Sequence, residues 1–590
     1  MGPGSSTHGN PAWWHQFTGT TVQGRNAYNQ AVVHTSFLFR LRMVGLAAAS
    51  AGLGLAIAVV TLGQLGTAPA IGQADSGTSA PSQGRGQILL VLPFDNRSGQ
   101  PSLEWVREAA PEILGSRFAS AGFAPMSRAD RLYALDHLGL PQGFHPSRAT
   151  ALKLAQTLDA DSIVVGSFAT DGTGITMQAQ VVDVSRLRMS QAVSARGEMR
   201  DLISVLDSLA WKLTRQLDPG FSGSEETFVA AGAGLRVDAF EQYIRGITEP
   251  DQAERLRHLK QAVVLNPEYA QAWMALGRED YNGQQYEEAA SAFAKVGSGD
   301  PDVLEAGFSR GLSLLFSGDY PRAEKALASV ARILPLAQVL NNEAVAVSRQ
   351  GHDGIGLFRQ AETADPNAAD YHFNLAVSLK RHGESAEALA ELAQCLRLRP
   401  NDSEALALEE EWKVPAKQPA GVVDASLPAE AKADPLERIA RSFDAVAFRQ
   451  AALMLDEMSA ARQAALTPAK RAQELAAQAK DYLDRGLLLE AERLYHSAVD
   501  ADGNVAAAHA GLAEVHERTG DAEGARREAR AALALKPLAD AYSVLGRLDL
   551  AGGKLEEAGK EAGEALKLEP ASRAGQELRR QIEARGGRIQ

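Results

Sequence analysis

Five prolines, Pro267, Pro301, Pro335, Pro366 and Pro400, follow one another at steps of 34, 34, 31 and 34 residues. No other feature constrains the fold as much, because self-similarity at a period of about 20–50 residues marks stacked supersecondary units. Numbered from residue 270, one unit has Trp273, Leu276, Gly277, Ala289, Phe293 and Pro301 at positions 4, 7, 8, 20, 24 and 32. The next, from residue 304, has Gly311, Gly318, Tyr320, Ala323, Leu327 and Pro335 at positions 8, 15, 17, 20, 24 and 32. Positions 4, 7 and 8 share one face of a first helix, and 20 and 24 one face of a second. Small residues at 8 and 20 let the helices approach, glycine at 15 permits the turn, and proline ends the second helix. One hairpin cannot bury its apolar face alone, so the units must stack.

The spacing W-x2-L-G, then A-x3-F, then P resembles the tetratricopeptide repeat. The unit ending at Pro400 supplies Leu375, Gly383, Ala388, Leu392 and Cys395, and shorter units end at Pro267 and Pro366. About five units make a first array over 236–410. Residues 411–434, proline-rich, read as a linker, and 435–468 as a helical segment outside the repeat. A second array of about three units, at 472–572, is marked by Tyr482, Gly486, Ala491 and Tyr495, by Leu512, Gly520, Ala525 and Pro537, and by Tyr542, Gly546, Gly553, Ala558 and Pro570. The polar residues 573–590 read as its capping helix. The fold class expected is multidomain and α-rich: an α-solenoid of such hairpins, preceded by a small α/β sheet domain and an N-terminal hydrophobic segment.

The resemblance implies a concave surface lined by the first helices. It places Met274, Arg278, Tyr281, Phe308, Leu312, Leu315, Phe373, Val377 and Lys380 there as candidate peptide-groove residues. Much of that set is apolar and suits a peptide or protein partner. The opposing expectation is that the array ends and the α/β domain fold back over this face.

Residues 87–220 form the expected α/β domain. Ile88–Phe94 and Asp161–Phe168 are short apolar runs fit for buried strands. Asp171-Gly172 with Gly174 signals a hairpin. The run LPFDNRSGQPSLEWVREAAPEIL resembles the opening of the TolB amino-terminal and FlgO-like domains, and LAQTLDADSIVVGSF is similar to a later stretch of them. That resemblance covers about 130 residues. It implies an envelope-associated accessory or assembly role and carries over no catalytic residue. Asp95, Asn96, Ser98 and Gly99 follow the first strand, where open α/β sheets often bind ligands. They are a candidate small-ligand loop, against the alternative of an Asx-type turn.

Between Arg42 and Asp75 there is no charged residue. Residues 1–42 are a polar extension that reads as a mis-assigned start, 43–70 a signal peptide or signal anchor, and 71–86 a Gly/Ser-rich linker. Uncleaved, residues 43–63 span the inner membrane, and Arg25, Arg40 and Arg42 hold the N-terminus in the cytoplasm. Either way, the later domains are expected in the bacterial envelope, outside the cytoplasm.

Enzyme motifs are weak. Gly307-Phe308-Ser309-Arg310-Gly311 has the spacing of a nucleophile elbow but falls within a repeat helix. Asp500-Ala501-Asp502-Gly503 lacks the glycine and glutamate spacing of a calcium loop. There is no phosphate loop and no H-E-x-x-H, and the histidines have no ligand-like spacing. Cys395, the one cysteine, sits at a packing position. No cofactor, metal or catalytic residue is expected. The net charge of -13 argues against a nucleic-acid partner. The expected function is a non-enzymatic envelope scaffold that recruits a protein through its repeats. The alternative is a sensor whose α/β domain binds a small molecule and signals through the arrays.

Overall fold

The computed structural model describes residues 86–413 (save 142, 144, 145, 298 and 301), 436–441 and 461–589. The segments expected to form the polar extension, the apolar membrane segment and the first linker up to residue 85 lie outside them, as do residues 442–460 of the expected helical segment. So does most of the second linker. Among the described residues, no helix is long and apolar enough to cross a membrane.

The sheet begins with β1 (Ile88–Val91), whose alternation sorts its side chains to two cores. Leu89 and Val91 face one apolar cluster, Leu90 and Leu92 the other. The spatial order is β3 (Ala124–Pro125), β1, β4 (Ser162–Asp171), β5 (Gly174–Asp183). β1 runs parallel to β3 and β4, and β4 and β5 form an antiparallel hairpin. The two-residue β2 (Asp95–Asn96) extends the pairing to β4, and β6 (Arg188–Met189) and β7 (Val193–Glu198) both pair with β5. β3 is only two residues long, because Phe118 and Ala121 belong to the end of the preceding helix and pack in the core.

Helices α1 (Val106–Ser120) and α4 (Leu202–Leu217) cover one face of the sheet, and α2 (Arg128–His137) and α3 (Arg148–Thr157) the other. Pro111 inside α1 cannot donate to the Arg107 carbonyl. The Phe94 N–H takes that acceptor instead, at 3.1 Å, which ties the end of β1 to the helix. Gly166 on β4 lies over the Phe94 ring, where a Cβ would come within 2.4 Å. Arg117 and Asp207 pair across α1 and α4 at 2.8 Å, and burial pushes the Asp207 carboxyl up to about 6.

The first array runs as five helical pairs, each an A helix followed by a B helix. Its A helices are Val237–Thr248, Ala270–Asn282, Val303–Ser317, Ala337–Arg349 and Ala369–Arg381. A closing helix follows at Ser403–Lys413. The second array contains the pairs Pro468–Asp484 with Leu488–Ala501, Ala506–Thr519 with Ala522–Leu535, and Ala539–Ala551 with Leu555–Leu568, closed by Arg573–Ala584. Close approach explains the small residues. A Cβ on Gly311 would meet Leu327 at 2.5 Å, and Ala289 and Ala323 are fully buried. The A–B turn at Gly318 has φ of 82°, a left-handed conformation that only glycine adopts without strain.

A second recurring bond links the units. The fourth residue of an A helix donates to the carbonyl six residues earlier: Trp273 to Pro267 at 2.8 Å and His372 to Pro366 at 3.0 Å. The same link joins His509 to Gly503 at 3.2 Å, and in the closing helix Gln576 to Pro570 at 3.0 Å. It occupies a carbonyl in the turn between units that the helices leave open.

The chain returns on itself. Phe240, Tyr243 and Ile244 of the first A helix pack into the apolar cluster under the sheet, with Trp105 and Phe240 edge to face at 6.3 Å. From the second array, Leu489 enters the same cluster. Beside it, Glu492 accepts the Ser224 N–H at 3.2 Å, at the start of the short helix Glu225–Ala231. Burial pushes the Glu492 carboxyl up to about 7, against the opposing hydrogen bonds from Thr227 and Ser224.

One segment departs from the sequence reading. Residues 436–441, foreseen as part of a helix, form no helix. Side chains of the first array hold their main chain instead.

Candidate functional site

The last two A helices of the first array, Ala337–Arg349 and Ala369–Arg381, carry buried polar residues in otherwise apolar stretches: Asn341, Asn342 and Asn374. Asn342 and Asn374 are each the sixth residue of their helix. A buried carboxamide must find partners, and here the partners are the backbone of residues 436–441. Asn374 accepts the Arg438 N–H at 2.6 Å and donates to the Arg438 carbonyl at 2.8 Å. Asn342 accepts the Ala440 N–H at 2.8 Å and donates to the Ala440 carbonyl at 2.8 Å. Asn341 adds a bond to the Arg438 carbonyl at 3.1 Å and accepts from Asn374 at 2.7 Å. These bonds read main chain, so they impose no side-chain sequence.

The walls do impose one. Arg349 and Arg381 are each the thirteenth and last residue of their A helix. With Ser348 they surround the fully buried Glu437 carboxylate: Arg381 and Ser348 bond it directly, and Arg349 Nε lies 3.6 Å from it. Arg349 also donates to the Glu437 carbonyl at 2.8 Å. The other wall is acidic. Arg438 bonds Asp370 at 2.8 Å, Asp402 at 2.7 Å and Glu404 at 2.9 Å, and its guanidinium lies 3.6 Å above the Phe373 ring. Arg399 shares Asp370 and Asp402. The hydrogen bond from Arg438 holds the Asp402 carboxyl down at about 2. Ile439 packs on the apolar cluster around Leu312, Leu315 and Phe358. Arg441 lies over Phe316 at 5.2 Å. Glu437, Ile439 and Arg441 therefore turn to one wall and Arg438 to the other, which is the alternation of an extended chain.

Of the nine residues expected to line the groove, Phe373 lies under Arg438 and Leu315 lines the cavity beside segment 436–441. Met274, Phe308, Leu312, Leu315, Phe373 and Val377 are all buried in apolar clusters between helices. Arg278 is exposed and paired with Glu305, Tyr281 packs against Tyr286 and Phe316, and Lys380 lies 5.5 Å from the Trp412 ring. The face is thus covered at this end by the chain's own segment 436–441, rather than by an array end or the α/β domain. The carboxamide readers were missed at the sequence level. Their trace was the run Asn341-Asn342 and the lone Asn374 inside apolar helices.

The loop at Asp95, Asn96, Ser98 and Gly99 closes on itself. Asn96 accepts from the Ser98 N–H and hydroxyl at 3.0 and 2.6 Å and donates to Gln100 and Glu104, both at 3.1 Å. This is the Asx-type turn, completed by Gly99 at φ of 69°.

The second array's groove is a different surface. A cavity of 730 Å³ there is lined by charged residues of both signs, among them Lys480, Glu514, Glu517, Arg518, Asp540 and Arg547. The sixth residues of its A helices Ala506–Thr519 and Ala539–Ala551 are Gly511 and Val544. They cannot read a peptide backbone as Asn342 and Asn374 do.

Residues 274–338, 342–403 and 476–540 match the family model of the tetratricopeptide repeat, and the hairpins within those spans are repeats of that kind. Solved structures with similar parts include YrrB, described as "a TPR protein with an unusual peptide-binding site". It is 17% identical, with a TM-score of 0.27, over 29% of this chain and 92% of that one. MamA from Desulfovibrio magneticus RS-1 is 21% identical, with a TM-score of 0.25, over 31% of this chain and all, 100%, of that one. The C-terminal domain of LpoB from Escherichia coli is 21% identical, with a TM-score of 0.17, over 20% of this chain and 87% of that one. No curated protein matches the sequence.

Proposed function

We propose that this protein is a non-enzymatic scaffold that holds an extended peptide of a protein partner in the groove of its first array. The observation that carries this reading is the segment 436–441, whose main chain is held at both N–H and C=O by Asn342 and Asn374. Groups that bond backbone at alternate residues are suited to ligands of many sequences. The test replaces residues 436–441 in the full chain by Gly-Ser of equal length and measures binding of an extended-peptide library by fluorescence anisotropy. Binding that Asn374→Ala abolishes supports the scaffold. If no peptide of any sequence binds, the scaffold reading fails.

The uncharged run between Arg42 and Asp75 and the likeness of 87–220 to TolB amino-terminal and FlgO-like domains favour a scaffold of the bacterial envelope. A reporter active only outside the cytoplasm, fused after residue 86, should be active. Activity of a cytoplasm-only reporter at that point would contradict this placement.

A further inference from the structure

We propose that the groove's partner peptide carries an acidic residue followed by arginine and then an aliphatic residue, and that segment 436–441 is a built-in competitor the partner must displace. This rests on the scaffold reading above and adds the ligand's chemistry and its regulation. The groove has opposite charge on its two walls: Arg349 and Arg381 on one, Asp370, Asp402 and Glu404 on the other. Neighbouring residues of an extended chain point to opposite walls. The pair Glu437-Arg438 therefore meets the basic wall with its carboxylate and the acidic wall with its guanidinium. The reversed order would set acid against acid and arginine against arginine. Ile439 adds the aliphatic contact next to the basic wall.

The segment is joined to the array by the same chain, so it competes at a fixed effective concentration. A groove so filled binds an outside peptide with an affinity lowered by the fraction of molecules in which the segment is released. Partner and segment make the same bonds, so they exclude each other. Binding of the partner then frees residues 436–441.

The probe is a labelled synthetic peptide of sequence LERIAR, with LREIAR as its order-reversed control. The protein is the full chain, compared with a variant carrying Glu437→Ala and Arg438→Ala, whose folding is checked by far-UV circular dichroism. The variant should bind LERIAR at least about tenfold more tightly than wild type, and LREIAR should bind it far more weakly than LERIAR. Adding Asn342→Ala and Asn374→Ala to the variant should remove binding. Equal binding to wild type and variant overturns the competitor. Equal binding of the two peptides overturns the acid-before-arginine rule. A variant that binds library peptides but not LERIAR overturns the proposal and leaves the scaffold reading standing. The Gly-Ser replacement of residues 436–441 supplies a second released protein, should the double alanine variant fold poorly.

Discussion

Asn374 holds Arg438 by both polar atoms of its main chain, across 64 residues of sequence, at 2.6 and 2.8 Å. A single buried carboxamide thereby takes both main-chain polar groups of one residue in a segment that is not helical.

Replacing Asn374 by Ala removes both bonds and leaves the Arg438 amide without its acceptor. Each bond contributes about 1 kcal/mol. Hydrogen exchange across residues 436–441 should then rise by roughly tenfold or more, while the repeat helices keep their protection. Unchanged exchange in that segment would show that the side-chain ion pairs alone keep it in place.

Phe308 has no exposed surface and packs among Leu312, Leu327 and Val330. Phe308→Ala should therefore destabilise the first array by about 3–5 kcal/mol, the usual cost of emptying a buried aromatic site. Thermal unfolding followed by circular dichroism reads this. A melt equal to wild type would return Phe308 to the ligand-facing surface where the repeat pattern first put it.

Ala289 is fully buried between helices, in a cluster with Met274, Phe293 and Ala306. Ala289→Arg forces a long charged chain into that closely packed space. The expected loss is about 4 kcal/mol or more, seen as a lower midpoint in urea. A variant with the wild-type midpoint would mean the helices can part there at little cost.

Glu492 gives the return contact of the second array a pH dependence. Its carboxyl, ordinarily near 4.5, is pushed up to about 7 when docked beside Ser224, Thr227 and Glu226. The docked state thus favours the protonated acid. Its contribution is fully present below about pH 4.5 and is lost as pH rises through about 7. Glu492→Gln should flatten the decline in melting temperature between pH 5 and 8 and be at least as stable as wild type at pH 8. An equally steep decline in the variant would assign the slope to other groups.

The repeats were legible in the sequence because their cause is local and recurs. Gly311 must be small for Leu327 to pack, Gly318 must adopt positive φ, and each requirement repeats with the period. The link between units was less visible, since tryptophan, histidine and glutamine make the same bond at Trp273, His372, His509 and Gln576. A search for tryptophan alone finds the first and passes over the rest. The groove was not legible from spacing. Its filling depends on Asn342 meeting Ala440, 98 residues away, and Asn374 meeting Arg438. Nothing in the helical pattern around 435–441 records that pairing. Without it, Phe308 and Leu312 look like exposed anchors when they are core. The α/β domain stood between these cases: its strand alternation sorts Leu89 from Leu90, but the brevity of β3 follows from packing at Phe118 and Ala121 that alternation does not encode.

The facing walls of unlike charge make the groove a phase detector. A chain sliding through it by one residue would bring Glu437 toward Asp402 and Arg438 toward Arg381, turning each attraction into a repulsion. Sliding by two restores the backbone bonds to the asparagines but sets Ile439 and Ala440 where the charged pair had been. Of the nearby registers, only one satisfies floor and both walls together. Such a groove therefore stops its occupant at a defined position along the chain, and whatever is tethered to that occupant is held at a defined distance from the repeats.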